Sequence, residues 1–474
     1  MTKYDYNLVV IGAGSAGLVS AYIAATVNAK VALIEKNAMG GDCLNTGCVP
    51  SKALLRTAEI MSLIRRGEEF GLKHAHAEVD FPAVMQRVKT IIKTIEPHDS
   101  VERYEKLGVD CLHGEATIRD PHHVQIGDTV IRTRAIILAT GAKPSVPPID
   151  GLKNIDFLTS DNLWDLQVLP KKLVVLGGGP IGCEMAQAFA RLGSEVTIVE
   201  MGERLLSIED KDASDIVHNA FERENIRIKT EHKALRVAQG KLVADNNGNE
   251  VTIAFDKILV ALGRSPRAMP EWKTLGMKLN DKGLPEVNEY LQTSIPNIYA
   301  CGDLVPPFQF THVAAHEAWY ACLNALLGGI WRFKVDYSTI AWATFTEPSV
   351  ARLGINVQEA TQRGIAHETT CYELEDLDRA ITDSEAEGFV KLLTPPKKDE
   401  ILGVTIVGKD AANMLSEWVL AKKHGLGVNK VLGTMHIYPT LAEANKYTAG
   451  EWKRSHKPEW ALKLAQKFFA WRRK

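Results

Sequence analysis

Two glycine-rich turns of the same pattern lie 165 residues apart and limit the possible folds more than any other feature of the chain. Each turn reads Gly-x-Gly-x-x-Gly, follows a short apolar run and precedes a helical stretch. Strand, glycine turn and helix in this order are typical of a dinucleotide-binding unit, because the glycines permit the tight turn and let the backbone approach a pyrophosphate at the helix N-terminus. The glycines are Gly12, Gly14 and Gly17 in the first turn and Gly177, Gly179 and Gly182 in the second.

An acidic residue ends the second strand of each unit, Glu35 after Val31–Ile34 and Glu200 after Glu195–Val199. A carboxylate at this point hydrogen-bonds a free ribose 2′-hydroxyl and repels a 2′-phosphate. In the second unit Glu200 therefore predicts NADH over NADPH. Arg204, four residues further on, favours the opposite choice and keeps NADPH as the alternative.

Two cysteines, Cys43 and Cys48, lie five residues apart just after the first unit. The chain begins without a secretory leader, so a stabilising disulfide framework is not expected. A zinc site would need about two further soft ligands, whereas the other cysteines are scattered singly and His312 and His316 lack a third ligand. We therefore predict a redox-active dithiol and no metal site, with two buried structural cysteines as the alternative.

Composition limits the remaining classes of protein. A chain of 474 residues is long enough for two to four domains. It is 45% hydrophobic and 24% charged, with a net charge of −2, which favours a globular protein and gives no general attraction for nucleic acid or anionic membrane. The most apolar window, 312–331, is too polar for a membrane span. A cytoplasmic protein is expected.

The dithiol segment, Gly40-Gly-Asp-Cys-Leu-Asn-Thr-Gly-Cys-Val-Pro-Ser-Lys52, resembles the class I pyridine nucleotide-disulfide oxidoreductases, which include lipoamide dehydrogenase, glutathione reductase and mercuric reductase. The resemblance implies that the first turn binds FAD and that Cys43 and Cys48 form a reducible disulfide over the flavin. Cys48 would be the flavin-side thiolate and Cys43 the outer thiol that attacks the acceptor. Lys52 and Glu184 would pair beside the flavin; the alternatives are a surface lysine and a helix first-turn acid.

Other segments resemble the family's motifs in the family's order. The resemblance implies an α/β chain with two Rossmann-like domains, for FAD and NAD, and a C-terminal α+β dimerisation domain that builds a homodimer. It implies FAD-binding segments at 1–150 and 273–337, an NAD(P)-binding domain at 151–272, an interface domain at 338–455 and a basic tail at 456–474. Asp303 would accept a hydrogen bond from a ribityl hydroxyl of the flavin. The further cofactor-binding residues are Ala116, Thr140, Gly141, Gly263, Arg264 and Gly302.

One segment departs from the family's pattern. Most relatives carry His-Pro-Thr with an acid three residues later, supplied to the active site by the partner subunit. Here Tyr438 takes the histidine's place and Glu443, the usual orienting acid, is retained. A phenol titrates near 10 and is a poor general base at neutral pH, which argues against efficient lipoamide or glutathione chemistry. His436 would share a face with Tyr438 in an extended segment and is the alternative acid-base group.

Mercuric reductases resemble the chain at Tyr438, but they also end in a vicinal cysteine pair, and this chain has no cysteine after Cys371. The tail departs from the family as well, because Trp460, Leu464, Phe468 and Trp471 share one face of a predicted basic helix. Such a helix packs on its own protein, or docks on a partner or at the periphery of a membrane.

The sequence as a whole predicts a homodimeric enzyme that passes electrons from NADH through FAD to the Cys43–Cys48 disulfide and on to an acceptor. A small molecule, a disulfide or thiol, a metal ion or a reactive oxidant are all open as that acceptor. Three alternatives remain. One is a flavin oxidase, quinone reductase or transhydrogenase that bypasses the thiols. Another is a dihydrolipoyl dehydrogenase with a substituted acid-base residue. The last is a tail-docked flavin-binding protein without catalysis.

Overall fold

The structure is a computed structural model that describes residues 4–473. Its strands, in chain order, are β1 (Tyr6–Ile11), β2 (Val31–Glu35), β3 (Val109–His113), β4 (Ala116–Asp120), β5 (His123–Ile126), β6 (Thr129–Leu138), β7 (Ala142–Pro144), β8 (Lys172–Leu176), β9 (Glu195–Val199), β10 (Arg227–Lys229), β11 (Lys233–Ala238), β12 (Lys241–Asn246), β13 (Asn249–Ala254), β14 (Lys257–Val260), β15 (Arg264–Pro266), β16 (Ile298–Ala300), β17 (Ala341–Thr344), β18 (Ser349–Gly354), β19 (Glu368–Glu373), β20 (Phe389–Thr394) and β21 (Gly403–Gly408).

The helices are α1 (Ser15–Thr26), α2 (Gly41–Asn45), α3 (Cys48–Arg65), α4 (Phe81–Ile95), α5 (Val101–Lys106), α6 (Pro180–Leu192), α7 (Lys211–Arg223), α8 (Glu271–Thr274), α9 (Thr311–Leu327), α10 (Val357–Gln362), α11 (Asp378–Thr382), α12 (Ala411–Lys423), α13 (Val428–Leu432), α14 (Glu443–Ser455) and α15 (Glu459–Arg472). The chain forms two compact units, one of residues up to 201 together with 231–336, and one of residues 202–230 together with 337–474. The finer domain boundaries expected from the sequence stay a prediction.

The first glycine turn belongs to a parallel sheet in the first unit. The strands lie in the order β3-β2-β1-β6, and β16 pairs with the far side of β6. In this register Leu8 lies opposite Val31 and Ala135. From Leu8 to Ile11 strand β1 is apolar and buried, as in a parallel sheet that is covered on both faces, and Leu8, Val9 and Val10 are fully buried. The predicted strand, turn, helix and strand around this turn are confirmed.

Strand β6 belongs to two sheets at once. Its C-terminal half, through Leu138, runs parallel to β1, whereas its N-terminal half pairs antiparallel with β5, which in turn pairs with β4. The short strands after Ala116 therefore form a small antiparallel layer that leads back into the parallel sheet, and β6 delivers Thr140 and Gly141 to its carboxyl end.

The second glycine turn has a smaller parallel sheet of β9, β8 and β14. Beside it in sequence, β11, β12 and β13 form an antiparallel sheet. The sequence Asp245-Asn-Asn-Gly-Asn249 predicts a hairpin turn. The structure confirms it, because Asn247 and Gly248 connect β12 to β13 with φ of +52° and +89°. Positive φ at both positions matches the twist of the strands, and Asn-Gly adopts it readily.

The second unit contains the five-stranded sheet β17-β18-β21-β20-β19, in which all the pairings are antiparallel. Helices α12 and α14 contribute Trp418 and Trp452 to the core over this sheet. Together with the two parallel sheets of the first unit, this arrangement confirms the predicted α/β class with a separate C-terminal α+β portion.

One predicted helix is wrong in its length. The apolar spacing from Phe81 to Leu107 predicts one long helix, but α4 ends at Ile95 and α5 begins at Val101. Pro97 cannot donate a helical backbone hydrogen bond, so the chain turns there. Ser100 then caps α5 by accepting a hydrogen bond from the Arg103 N–H at 3.3 Å.

The predicted helix in the tail is present as α15, and none of its residues is buried. This contradicts the interpretation that its aromatic stripe packs on its own protein. Within residues 4–473 no helix is long and apolar enough to cross a membrane. The cytoplasmic location stays a prediction.

Candidate active site

The first and third glycines of each turn leave no room for a side chain. Gly12 has φ +102°, and a Cβ on it would lie 2.3 Å from the Ala139 carbonyl oxygen. A Cβ on Gly17 would lie 1.7 Å from the Gly12 carbonyl oxygen, so only glycine lets α1 pack against its own turn. The second turn repeats both relationships at Gly177 and Gly182.

The acids at the strand ends occupy equivalent places. Glu35 Oε2 accepts a hydrogen bond from the Ala13 N–H at 2.7 Å, and Glu200 Oε2 accepts one from the Gly178 N–H at 2.6 Å. Each carboxylate is thus fixed beside the middle residue of its own turn. This is the arrangement that holds the ribose of a dinucleotide whose pyrophosphate lies at the helix N-terminus.

The dithiol lies at a junction between two helices. Cys43 is within α2, Cys48 is the first residue of α3, and both thiols are reduced in this structure. Cys48 is exposed, and its Sγ lies 3.3 Å from the Thr311 hydroxyl at the start of α9. A thiolate at a helix N-terminus is favoured by the helix dipole.

The two thiols differ in acidity. The hydrogen bond from Cys43 lowers the pKa of Cys48 to about 6; Thr311 and the charge of Lys52 act in the same direction, against burial and the charge of Glu184. The pKa of Cys43 is raised, because its hydrogen bond to Cys48 and its burial both favour the thiol. The reduced pair therefore holds one proton at neutral pH, on Cys43.

Lys52 and Glu184 form an ion pair between α3 and α6, with Nζ and Oε2 2.7 Å apart. The Glu184 side chain is 7% exposed and that of Lys52 is 39% exposed. The expected pairing is thus present. The alternative that Glu184 is a first-turn acid is wrong, because Glu184 is the fifth residue of α6 and no acid lies in the first turn. The pair places a positive charge one helical turn after Cys48.

A second charged group connects the dithiol segment to the expected flavin motif. Arg264 forms an ion pair with Asp42, the residue before Cys43, and its Nε lies 3.8 Å from Asp303 Oδ2. Burial raises the pKa of both Asp42 and Asp303, and Arg264 opposes this shift in each. Sequence reasoning singled out Arg264 and Asp303 but missed Asp42, whose position inside the dithiol motif was the available signal.

The remaining predicted cofactor residues lie in the first unit, at the ends of its strands. Ala116 is nearly buried at the start of β4. Thr140 Oγ1 donates to the Arg267 carbonyl at 2.9 Å, and the Gly141 carbonyl accepts from the Arg267 N–H at 2.9 Å. The Gly302 N–H donates to the buried Glu317 carboxylate at 2.7 Å, and Gly263 precedes Arg264 in a bend before β15. Glu317 was missed, because nothing local in the sequence connects it to Gly302.

In the second unit, Tyr438 and His436 do not share a face, contrary to expectation. The Tyr438 side chain is 65% exposed, and its hydroxyl donates to Asp378 Oδ2 at 3.0 Å. The His436 side chain is 6% exposed and its Nε2 lies 2.9 Å from Glu417 Oε1. The segment is irregular rather than extended, so strand alternation does not apply.

Glu443 does not accept a hydrogen bond from Tyr438. Its Oε2 accepts from the Thr440 N–H at 3.2 Å at the start of α14, and its charge contributes to the raised pKa values of Tyr438 and Tyr447. Asp378 rather than Glu443 is therefore the group that orients Tyr438. Asp378 was missed because it lies 60 residues earlier in the chain.

The first unit fits FAD and a nicotinamide dinucleotide. The first and third glycines of each turn have no room for a side chain, whereas a Cβ on Gly179 meets no protein atom within 4 Å, and each turn has a fixed acid at the position expected for the ribose. Gly12, Glu35, Gly302 and Asp303 would hold FAD, while Gly177 and Glu200 would hold the nicotinamide dinucleotide. Within residues 4–473 no cluster of three or more His, Cys, Asp or Glu side chains is arranged for a metal ion.

Comparison with known proteins agrees with this site. Residues 6–318 match the model of the pyridine nucleotide-disulphide oxidoreductase family, and residues 340–449 match that of its dimerisation domain. A mercuric reductase from Bacillus cereus is 34% identical over 94% of this chain and 71% of its own. A dihydrolipoyl dehydrogenase from Chlamydia pneumoniae is 34% identical over 93% of this chain and 95% of its own. Among solved structures, the HOCl-induced flavoprotein disulfide reductase RclA from Escherichia coli superimposes with a TM-score of 0.83 at 25% identity, over 94% of this chain and 99% of that one.

These matches and the site define a flavin-dependent enzyme of disulfide and nicotinamide chemistry. The chain belongs to the pyridine nucleotide-disulphide oxidoreductase family. Its cofactors are those of the family, FAD and NAD(P)H, and its dimerisation domain supports a homodimer. The non-enzymatic alternative is thereby set aside.

Proposed function

We propose that this enzyme takes electrons from NADH and delivers them through the Cys43–Cys48 disulfide to an acceptor that needs no general base. The unequal acidity of the two thiols, with the pKa of Cys48 lowered to about 6 and that of Cys43 raised, carries the proposal. Bound FAD supplies the relay that accepts a hydride from the nicotinamide and passes two electrons to the disulfide.

The residues of this chain account for the protons. When two electrons enter the disulfide, the S–S bond breaks and one proton binds Cys43 Sγ, while Cys48 stays a thiolate. The Lys52 charge and the Thr311 hydroxyl stabilise that thiolate. Glu184 holds the Lys52 ammonium in place at 2.7 Å. Cys43 is then the thiol that meets the acceptor.

The choice of NADH rests on Glu200 and Arg204. Glu200 is fixed by the Gly178 N–H, where it would repel a 2′-phosphate. The Arg204 guanidinium already contacts Glu203, Gln358 and the Ser207 carbonyl. Because the guanidinium already contacts these neighbours, we do not expect it to bind a 2′-phosphate. This favours NADH over the NADPH alternative.

The acceptor follows from Tyr438, which the family resemblance would bring to the site from the other subunit. Its pKa is raised, chiefly by the hydrogen bond to Asp378. A tyrosine of this kind donates a proton but does not take one from a thiol at neutral pH. A metal ion or a small reactive oxidant suits the site better than lipoamide does. It takes two electrons from the Cys43 thiol and the Cys48 thiolate, the disulfide forms again, and the Cys43 proton is released to water.

An anaerobic reduction tests this proposal. The holoenzyme is reduced with NADH, and newly formed thiols are labelled and located by mass spectrometry. We expect labelling at Cys43 and Cys48, and NADH oxidation with Cu(II) or hypochlorous acid that exceeds oxidation with lipoamide. Cys43→Ser should abolish acceptor turnover, whereas the matched control Cys371→Ser, at an exposed cysteine of the second unit, should not.

Full turnover by Cys43→Ser would overturn the proposal and favour the thiol-bypassing oxidase, quinone reductase or transhydrogenase. Lipoamide turnover equal to that with Cu(II) would instead favour a dihydrolipoyl dehydrogenase whose acid-base residue has been replaced.

A further inference from the structure

We propose that α15 docks the enzyme on an anionic membrane surface. The proposal concerns a segment that the reaction does not use, because α15 follows the family's dimerisation domain, whose match ends at residue 449.

The exposure of α15 differs from that of the helix before it. Helix α14 buries six of its residues, among them Trp452, in the core of the second unit. Helix α15 buries none of its 14 residues. Trp460 and Trp471 are 71% and 70% exposed. Their side chains therefore do not contribute to the core of the second unit. Large aromatic side chains left in water are typical of an interaction surface.

Four of the six large exposed apolar side chains of α15 lie on one side of the helix. At 3.6 residues per turn, Trp460, Leu464, Phe468 and Trp471 fall within one stripe, as the sequence predicts. Leu462 and Phe469 lie on the opposite side of the helix, and they are 52% and 58% exposed. Tryptophan is the side chain that membrane interfaces favour most clearly, because its ring is apolar and its N–H needs a wet neighbour.

The charge of this segment selects the kind of lipid. Residues 451–473 contain seven Lys or Arg and two Glu, in a chain whose net charge is −2. The basic residues of the segment are Lys453, Arg454, Lys457, Lys463, Lys467, Arg472 and Arg473. Each basic group near a surface of anionic lipids favours binding. The segment is therefore complementary to anionic headgroups, although the protein as a whole is not.

The pattern favours lipid over a second protein. The core of a protein interface is depleted of charged residues, whereas Lys467 and Arg472 lie beside Phe468 and Trp471 on the wheel of this helix. Their long stems can cover apolar surface while the charged ends reach headgroups. A helix of 14 residues is about 21 Å long and lies on a bilayer rather than across it.

Vesicle flotation of the holoenzyme tests the proposal. The probes are vesicles of equal parts phosphatidylglycerol and phosphatidylcholine, and vesicles of phosphatidylcholine alone. We expect flotation with the anionic vesicles and about tenfold less bound protein for Trp460→Ala/Phe468→Ala/Trp471→Ala. The matched control is Trp331→Ala, which removes a 65% exposed tryptophan outside the helix and should float as the wild type does.

A second variant, Lys463→Glu/Lys467→Glu, separates charge from apolar burial and should float less with the anionic vesicles only. Retained FAD and NADH oxidation show that each variant is folded, as expected for a helix without buried residues. Wild-type protein that stays unbound, or a triple variant that floats equally well, would overturn the proposal. So would tail-dependent assembly beyond a dimer in the absence of lipid, since it would assign the surface to a second protein.

Discussion

The hydroxyl of Tyr438 donates a hydrogen bond to Asp378 Oδ2 at 3.0 Å. This bond and the charge of Asp378 raise the pKa of Tyr438, so the phenol stays protonated at neutral pH. The nearby His436 points away from Tyr438 and pairs with Glu417. Tyr438 is thus a protonated phenol whose hydrogen-bond partner is the Asp378 carboxylate rather than the imidazole of His436.

Tyr438→His should therefore raise turnover with lipoamide. Histidine titrates near 6.5, and a positioned general base contributes typically 10²–10⁴-fold. We expect kcat/KM for lipoamide to rise about tenfold or more, measured by NADH oxidation at saturating NADH. Tyr438→Phe removes the phenol without adding a base and is the control. If Tyr438→Phe gained as much turnover with lipoamide, the low turnover of the wild type would come from the hydrogen bond of the phenol to Asp378. It would not come from the absence of a base.

Replacing Lys52 should make Cys48 less acidic. The pKa of Cys48 is lowered to about 6 in part by the Lys52 charge, and a positive charge favours a thiolate. In Lys52→Met the alkylation of Cys48 should rise at a higher pH than in the wild type, followed by mass spectrometry of the reduced enzyme. Lys36→Met breaks the surface pair with Glu115 and should leave the Cys48 profile where it was. Coincident profiles for Lys52→Met and wild type would contradict the assigned cause.

Replacing Glu200 should reduce the preference of the enzyme for NADH over NADPH. Glu200→Ala removes the carboxylate that the Gly178 N–H fixes and that would repel a 2′-phosphate. The ratio of kcat/KM for NADH to that for NADPH should fall by roughly tenfold, about 1.4 kcal/mol. Glu195→Gln alters an acid at the other end of the same strand and should leave the ratio unchanged. If the wild type had equal kcat/KM for NADH and NADPH, Glu200 would not select between them, and the prediction would be wrong.

Asn445 holds the second unit together near Tyr438. Its Oδ1 accepts from the indole N–H of the fully buried Trp418 at 2.7 Å, and its Nδ2 donates to Glu417 Oε2 at 2.9 Å. Asn445→Ala leaves the indole N–H buried without a partner, which costs about 1–3 kcal/mol. We expect a lower thermal midpoint for the unit that contains it. Lys453→Ala, at an exposed site on the same helix, should leave the midpoint unchanged; if both variants unfold alike, the bond contributes little.

Features that depend on neighbouring residues were predictable from the sequence. The glycine turns, the acids at the strand ends and the Asn-Gly hairpin each follow from a few consecutive residues whose backbone needs are specific. The ion pair of Lys52 with Glu184 joins residues 132 apart and was predictable only through the family resemblance. Composition or periodicity alone could not have placed those two side chains together.

Other features depended on long-range packing. Asp378 and Asp42 gain their partners Tyr438 and Arg264 from segments 60 and 222 residues away. No local pattern marks such carboxylates, because their role comes from what the fold places beside them. The predicted orientation of His436 is wrong for a related reason. The prediction assumed the alternation of an extended strand, whereas the His436 imidazole is buried and pairs with Glu417.

The short spacing of the two cysteines limits how much the redox cycle changes the stability of the fold. A disulfide stabilises a protein chiefly by restricting the unfolded chain, and the effect grows with the length of the closed loop. Cys43 and Cys48 would close a loop of only six residues, and α2 and α3 on either side are complete with both thiols reduced. A loop of this length contributes about 2 kcal/mol, against about 4.7 kcal/mol for a loop of 100 residues. Opening and closing the bond in every catalytic cycle therefore changes the folding free energy less than breaking a long-range disulfide would.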